Sequence, residues 1–356
     1  MPSVTATVPP PPLRFVEYRL PGSCQVRAYT SKRALVSRDD AERGTTELLL
    51  LDLSSGRNRS LLSMPVAGAQ GLVFSGCTLS DDVVAWEEVS PRDADFPEET
   101  VWRLFACGYD ASKGLVGSPV LVDGSDRGAR SRPLFHVDGQ AVVWLSNARR
   151  AGGYSGRVQR FDVASGERST VLEAATPFDT LSLSERRVLV TRETTSGAEE
   201  VLSLSPGERK PTVTKLSGGM PSHFPAMHDG AVAWAVLKPD KPWPDLFLSD
   251  SKGRRLLAPD ALDPVFAGDY LFYESNEASD APRDHCQYGS IWGIRPGTDG
   301  KFRLLLTEVS VEGWWQTALA QGYVDDVFVV HNDLSPWNGG KDRSTLVRVY
   351  RFQRRG

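Results

Sequence analysis

The chain has 356 residues, 40% of them apolar, with 41 Lys and Arg against 45 Asp and Glu and a formal net charge of −4. That balance gives no reason to expect nucleic acid or an anionic membrane as partner, and no run of 18 apolar residues exists to form a transmembrane helix. Length alone suggests two or three domains, but closed all-β folds often exceed that estimate, and 32 Gly with 24 Pro scattered along the chain point to many turns.

Residues 1–12, MPSVTATVPPPP, are Pro-rich and are expected to be disordered. They lack the basic and apolar regions of a signal peptide, so a cytoplasmic location is expected. The alternative is an exported protein whose leader is absent from this chain. Residues 13–20, LRFVEYRL, are apolar and β-prone.

From there a pattern recurs at a spacing of about 40 to 50 residues. A short apolar strand leads through a Gly or Asp turn into a second, very apolar strand. That second strand reads SKRALVSRD at 31–39, SDDVVAWEE at 80–88, DGQAVVWLS at 138–146 and SERRVLVTRE at 184–193. It returns as DGAVAWAVL at 229–237, GDYLFYES at 268–275 and VDDVFVVHN at 324–332. A loop of variable length follows, then a third strand such as ELLLLDL, RVQRFDV or DLFLSD, a turn such as SSGR or ASGE, and a short fourth strand. Short apolar or alternating runs bounded by Gly, Asp and Ser are strand signals.

The groups span 24–63, 70–122, 131–172, 177–216, 222–258, 263–307 and 315–351. The last has three strands of its own, and residues 13–20 fit its missing fourth. The expected fold is therefore all-β. It is a seven-bladed β-propeller with four-stranded blades, a single domain over 13–356 in which the N-terminal strand closes the last blade. Such closure removes exposed edges. Six blades is the alternative. Trp86, Trp144 and Trp234 share one repeat position and are expected to pack between blades.

The repeat resembles the TolB-like propeller family. VVAWEE, AVVWLS and AVAWAVL carry one part of its consensus, and ELLLLDLSSGR and RFDVASGER the other. The resemblance implies blade architecture and says little about activity.

Long insertions after the second strand, at 89–100, 147–156, 238–244, 275–289 and 333–344, fall on one expected face. Long loops in compact domains are usually functional or disordered. Residues ending the second strand on that face include Arg38, Glu87, Arg192, Glu274 and His331. Starts of the first strand contribute Arg132, His223, Asp263, Trp314, Trp315 and Gln316. In an acid–base reading His223 or His331 acts as base and Glu87 or Glu274 as acid. Arg132 and Arg192 steady negative charge, and Arg38, Asp263, Trp314, Trp315 and Gln316 contact ligand.

No cofactor is expected. No metal site is expected either, since neither Asp123 and Asp126 nor residues 332–342 match a calcium-loop spacing. Cys24, Cys77, Cys107 and Cys286 form no CxxC pair. Cys24 and Cys286 fall on the same expected face, and whether they pair stays open. The expected function is a binding module that presents a polar mouth to a small polar molecule, a glycan or a protein. The alternative is a cofactor-free lyase, cyclase or hydrolase.

Overall fold

The computed structural model describes residues 8–40, 44–90, 100–126, 132–150, 153–184, 187–194, 199–205, 208, 210–216, 225–238, 241, 244–275, 290–304, 316–319, 327–333 and 344–352. Among them strands dominate, and the one helical element is a 3-10 turn at Gly68–Gln70. The chain divides into two compact units, residues 27–217 and residues 1–26 together with 218–356.

β1 (Leu13–Pro21) belongs to the second unit, and β2 (Ser23–Tyr29) enters the first at Arg27. β2 pairs with β3 (Arg33–Asp40), β3 with β4 (Gly44–Asp52), and β4 with β5 (Asn58–Leu62). The same up-and-down order recurs in β6 (Val73–Leu79), β7 (Val83–Val89), β8 (Trp102–Asp110) and β9 (Gly114–Ser125). A single pair, Thr45 with Phe74, bridges these two groups. The next group holds β10 (Phe135–Asp138), β11 (Ala141–Leu145), the short β12 (Ala148–Arg150) folded back on β13 (Gly153–Asp162), and β14 (Arg168–Ala174). β15 (Thr180–Ser184), β16 (Arg187–Glu193), β17 (Glu199–Leu204) and β18 (Thr212–Lys215) complete the unit.

Alternation explains the very apolar second strands. β7 reads VVAWEEV and is buried at every position. Successive side chains point to opposite faces, and both faces are covered. Val84 and Trp86 join Leu35, Leu48 and Leu50 of the preceding group. Val83 and Ala85 join Val142 and Trp144 of the following one. A strand sandwiched on both sides loses the apolar–polar alternation of a half-exposed one. Two of the indole N–H groups buried this way find acceptors: Trp86 donates to Glu88 Oε1 at 2.8 Å and Trp144 to Asp123 Oδ2 at 2.9 Å.

The second unit repeats the plan. β19 (Ala226–His228), β20 (Ala231–Val236), β21 (Asp245–Asp250) and β22 (Gly253–Ala258) form one sheet. β23 (Ala261–Ala267), β24 (Tyr270–Ser275), β25 (Ser290–Ile294) and β26 (Lys301–Leu304) form the next. Trp234 is fully buried and stacks on Phe247 at 5.8 Å.

The last sheet holds β27 (Gln316–Leu319), β28 (Val327–Asp333), β29 (Ser344–Phe352) and, on its outside, β1. β1 pairs antiparallel with β29 from Leu13 opposite Phe352 to Pro21 opposite Ser344, as the residues at 13–20 lead one to expect. Arg348 Nε donates to Glu17 at 2.7 Å, and its guanidinium lies 5.4 Å from the Phe15 ring centre. Gly22, at φ +87, turns the chain from β1 into β2, a conformation an L side chain resists. Cys24 N–H donates to the buried Thr345 hydroxyl at 2.8 Å. Ahead of β1, Val8 N–H donates to Lys301 O at 2.8 Å.

Candidate functional site

In the unit of residues 27–217, the site grows from the bulged strand β6. Its register against β7 shifts between Phe74 and Cys77, which sets Ser75 and Gly76 outside the regular ladder. Gly76 lies against Phe135 and Glu87: a Cβ there would stand 3.3 Å from Phe135 Cε1 and 3.9 Å from Glu87 Oε2. The Glu87 side chain, on β7, is 2% exposed, and that of Arg132, just ahead of β10, is 37% exposed. Arg132 Nε donates to Glu87 Oε1 at 3.1 Å and its Nη2 to Glu87 Oε2 at 2.5 Å. Nη2 also donates to Ser75 Oγ. A planar guanidinium gripped through two N–H groups by a buried carboxylate is fixed in orientation as well as charge.

A second guanidinium belongs to β2. Arg27 Nε donates to Ser37 Oγ at 2.9 Å, and its Nη2 lies 3.8 Å from the Asp39 carboxylate. Cys77 sits within its field. Burial pushes that thiol up to about 12, with Arg27 opposing the rise and Asp39 adding to it, which disfavours its thiolate.

Along the first strands of the later groups two more titratable groups are perturbed. Burial drives His136 on β10 down to about 4. Its Nε2 lies 3.1 Å from Leu181 O; a carbonyl only accepts, so Nε2 carries the proton and donates. Asp179, just ahead of β15, is held above the usual carboxylate range by burial and then by the negative charge of Glu193.

Two other charges marked by the repeat are already engaged. Arg38 pairs with Glu47, the residue opposite it on β4. Arg192 donates through Nε and Nη2 to Glu200 at 3.3 and 3.0 Å, again the residue directly opposite. These are cross-strand ion pairs.

In the unit of residues 1–26 and 218–356, Asp263 stands out. It sits on β23 where the register against β24 shifts between Leu262 and Val265, and its φ is +52. Burial raises its carboxyl to about 6. Glu274, almost fully buried, lies on β24 opposite the adjacent Leu262, and His331 is buried on β28 opposite Ala318. Gln316 begins β27 opposite Asp333. His223, Trp314, Trp315 and Cys286 lie outside the described residues.

Three participants escape the sequence pattern. Ser75 and Arg27 lie in first strands, which carry little repeat signal. Glu88 is fully buried and accepts Val66 N–H and Ala67 N–H at 2.7 Å each as well as the Trp86 indole N–H. Its only signal is the doubled acid in VVAWEE.

No family model and no curated protein matches the sequence. Solved structures do. One, from work on two prolyl endopeptidases, shares 14% identity with a TM-score of 0.56, covering 94% of this chain and 50% of that one. An acylaminoacyl peptidase of Pyrococcus horikoshii shares 9% at a TM-score of 0.54, covering 89% and 50%. An oligogalacturonate lyase in complex with manganese shares 13% at a TM-score of 0.50, covering 98% and 99%. The fold is a β-propeller. The chain spans about half the length of the two peptidase chains and nearly all of the lyase. At these identities the likeness shows the fold alone.

Proposed function

We propose that this chain is a seven-bladed, TolB-like β-propeller that binds a small polar molecule at the ends of the first strands of residues 27–217. Seven groups of strands, six of them four-stranded, one carrying the extra β12, and the last completed by β1, support the blade count. The observation that carries the binding reading is the Glu87–Arg132–Ser75 cluster. A buried carboxylate holds a guanidinium that remains 37% exposed, so a charged donor is fixed in place and still reaches solvent. Pre-oriented polar groups of this kind give a pocket its specificity.

Galacturonate and galactose are suitable probes, since one structural neighbour is an oligogalacturonate lyase. Saturation-transfer NMR is expected to show binding of at least one of them to the wild type and its loss in Arg132→Ala. In Asp162→Ala, altered in the turn between β13 and β14, binding is expected to persist. Binding indifferent to Arg132 and lost on the turn variant puts the site elsewhere and ends the proposal.

One observation favours a second, enzymatic reading. Asp263 combines a left-handed backbone with a carboxyl raised to about 6, the combination of strain and shifted acidity that marks acid–base groups. In that reading a pH–rate profile has an apparent group near 6 that Asp263→Asn removes.

A further inference from the structure

Arg132 and Ser75 leave two donors open. Arg132 spends Nε and Nη2 on Glu87 and Ser75, and no described residue accepts from Nη1. Ser75 Oγ accepts from Arg132, so its own hydroxyl proton is left to donate, and no described residue takes it. Both oxygens of Glu87 already accept from Arg132. The cluster therefore presents two adjacent donors, and the acceptor capacity beside them is the second lone pair of Ser75 Oγ.

We propose that these donors seat a carboxylate of a small-molecule ligand, with one oxygen on Arg132 Nη1 and the other on Ser75 Oγ. The assignment rests on the binding reading above and adds the chemical class of the group bound. A carboxylate is planar, offers two oxygens and donates nothing. A primary amide of the same shape places its oxygen on Arg132 Nη1 and leaves its N–H to Ser75 Oγ, which accepts it only as a neutral hydrogen bond, weaker than the charge-assisted bond it gives a carboxylate. Glu87 offsets the net charge of Arg132, so the preference for the acid comes from the bond to Ser75 Oγ, charge-assisted with a carboxylate and neutral with an amide. A compact spherical anion gains less from such a seat than a planar one.

The test compares acids with their amides: galacturonate with galacturonamide, and succinate with succinamide, each titrated by calorimetry or by NMR. In at least one pair the acid is expected to bind about tenfold more tightly, the usual worth of a charge-assisted hydrogen bond. Ser75→Ala is expected to erase that preference while the amide's affinity stays within twofold. Arg132→Lys, which keeps the charge and loses the directed N–H groups, is expected to weaken the acid at least tenfold. Melting curves of both variants show whether they fold, and Ser75→Ala leaves the Glu87–Arg132 pair in place.

If acid and amide bind equally and both depend on Arg132, the carboxylate assignment fails and the binding reading stands. Failure of every probe to bind ends both. Inorganic phosphate matching the best acid makes the cluster a general oxyanion seat and overturns the assignment to a carboxylate.

Discussion

Glu87, buried beside a bulged first strand, and Asp263, half-buried within another, are carboxylates whose surroundings give them opposite characters. Glu87 lies against Ser75 and Gly76 and meets a guanidinium that supplies an N–H to each oxygen. Asp263 lies within its own bulge, and burial raises its carboxyl to about 6. A carboxylate buried with a matched cation becomes an anchor for that cation. One buried where desolvation prevails becomes a group that exchanges its proton near physiological pH. The same bulge thus serves to hold a charge in one unit and to make one titratable in the other.

Glu88 provides the largest perturbation. Glu88→Ala strips acceptors from Val66 N–H, Ala67 N–H and the Trp86 indole together, and is expected to cost on the order of 3–5 kcal/mol in denaturant unfolding. A loss below about 1 kcal/mol, the size of one ordinary hydrogen bond, shows that water replaces the carboxylate.

Glu87→Ala comes next. Arg132 keeps a route to solvent through its exposed side, so the expected loss is smaller, about 2–3 kcal/mol. A larger loss than for Glu88→Ala breaks the distinction between a packed carboxylate and an anchoring one.

Asp263→Asn is expected to gain about 1–3 kcal/mol at pH 7, because Asn tolerates the left-handed backbone and carries no charge to desolvate. The sign follows from proton counts. With its carboxyl raised from the ordinary 3.8 to about 6, Asp263 binds more protons folded than unfolded, so stability falls as pH rises through that window. His136, lowered from 6.5 to about 4, acts in reverse: its contribution is present above about 6.5 and is lost as pH falls toward 4. The two slopes oppose each other in the wild type. The Asn variant is expected to lose the Asp263 slope, so that its stability falls more steeply as pH drops from about 6 toward 4, and a variant whose profile matches the wild type contradicts the raised Asp263. The smallest effect is Ser75→Ala, about 0.5 kcal/mol or less in stability, with its consequence confined to binding.

The strands were legible because burial on both faces writes itself into composition. VVAWEEV and AVAWAV could only be inner strands of stacked sheets, and LRFVEYRL, left over at 13–20, pairs with the last sheet. The site was less legible. Recurring Arg38 and Arg192 drew attention as free charges, yet antiparallel register sets Glu47 and Glu200 directly across from them, a partnership visible only once the pairing is known. Glu87 and Arg132 stand 45 residues apart in sequence, and nothing local links them. Ser75 enters through a bulge, and bulges shift a residue off the face that alternation assigns to it.

The pairing of Leu13 with Phe352 has a consequence for biosynthesis. β1 leaves the ribosome ahead of the other described strands and acquires its neighbour only after β29 has emerged. Until then Phe15, Val16 and Tyr18 sit on a strand with no ladder, while the intervening sheets can close as they appear. Joining strands so far apart in sequence carries the largest loop-closure cost among the described pairings. Nascent chains stalled before Ser344 are therefore expected to keep β1 protease-sensitive and to recruit chaperones, and chains extended past β29 to lose both traits in a late, slow step.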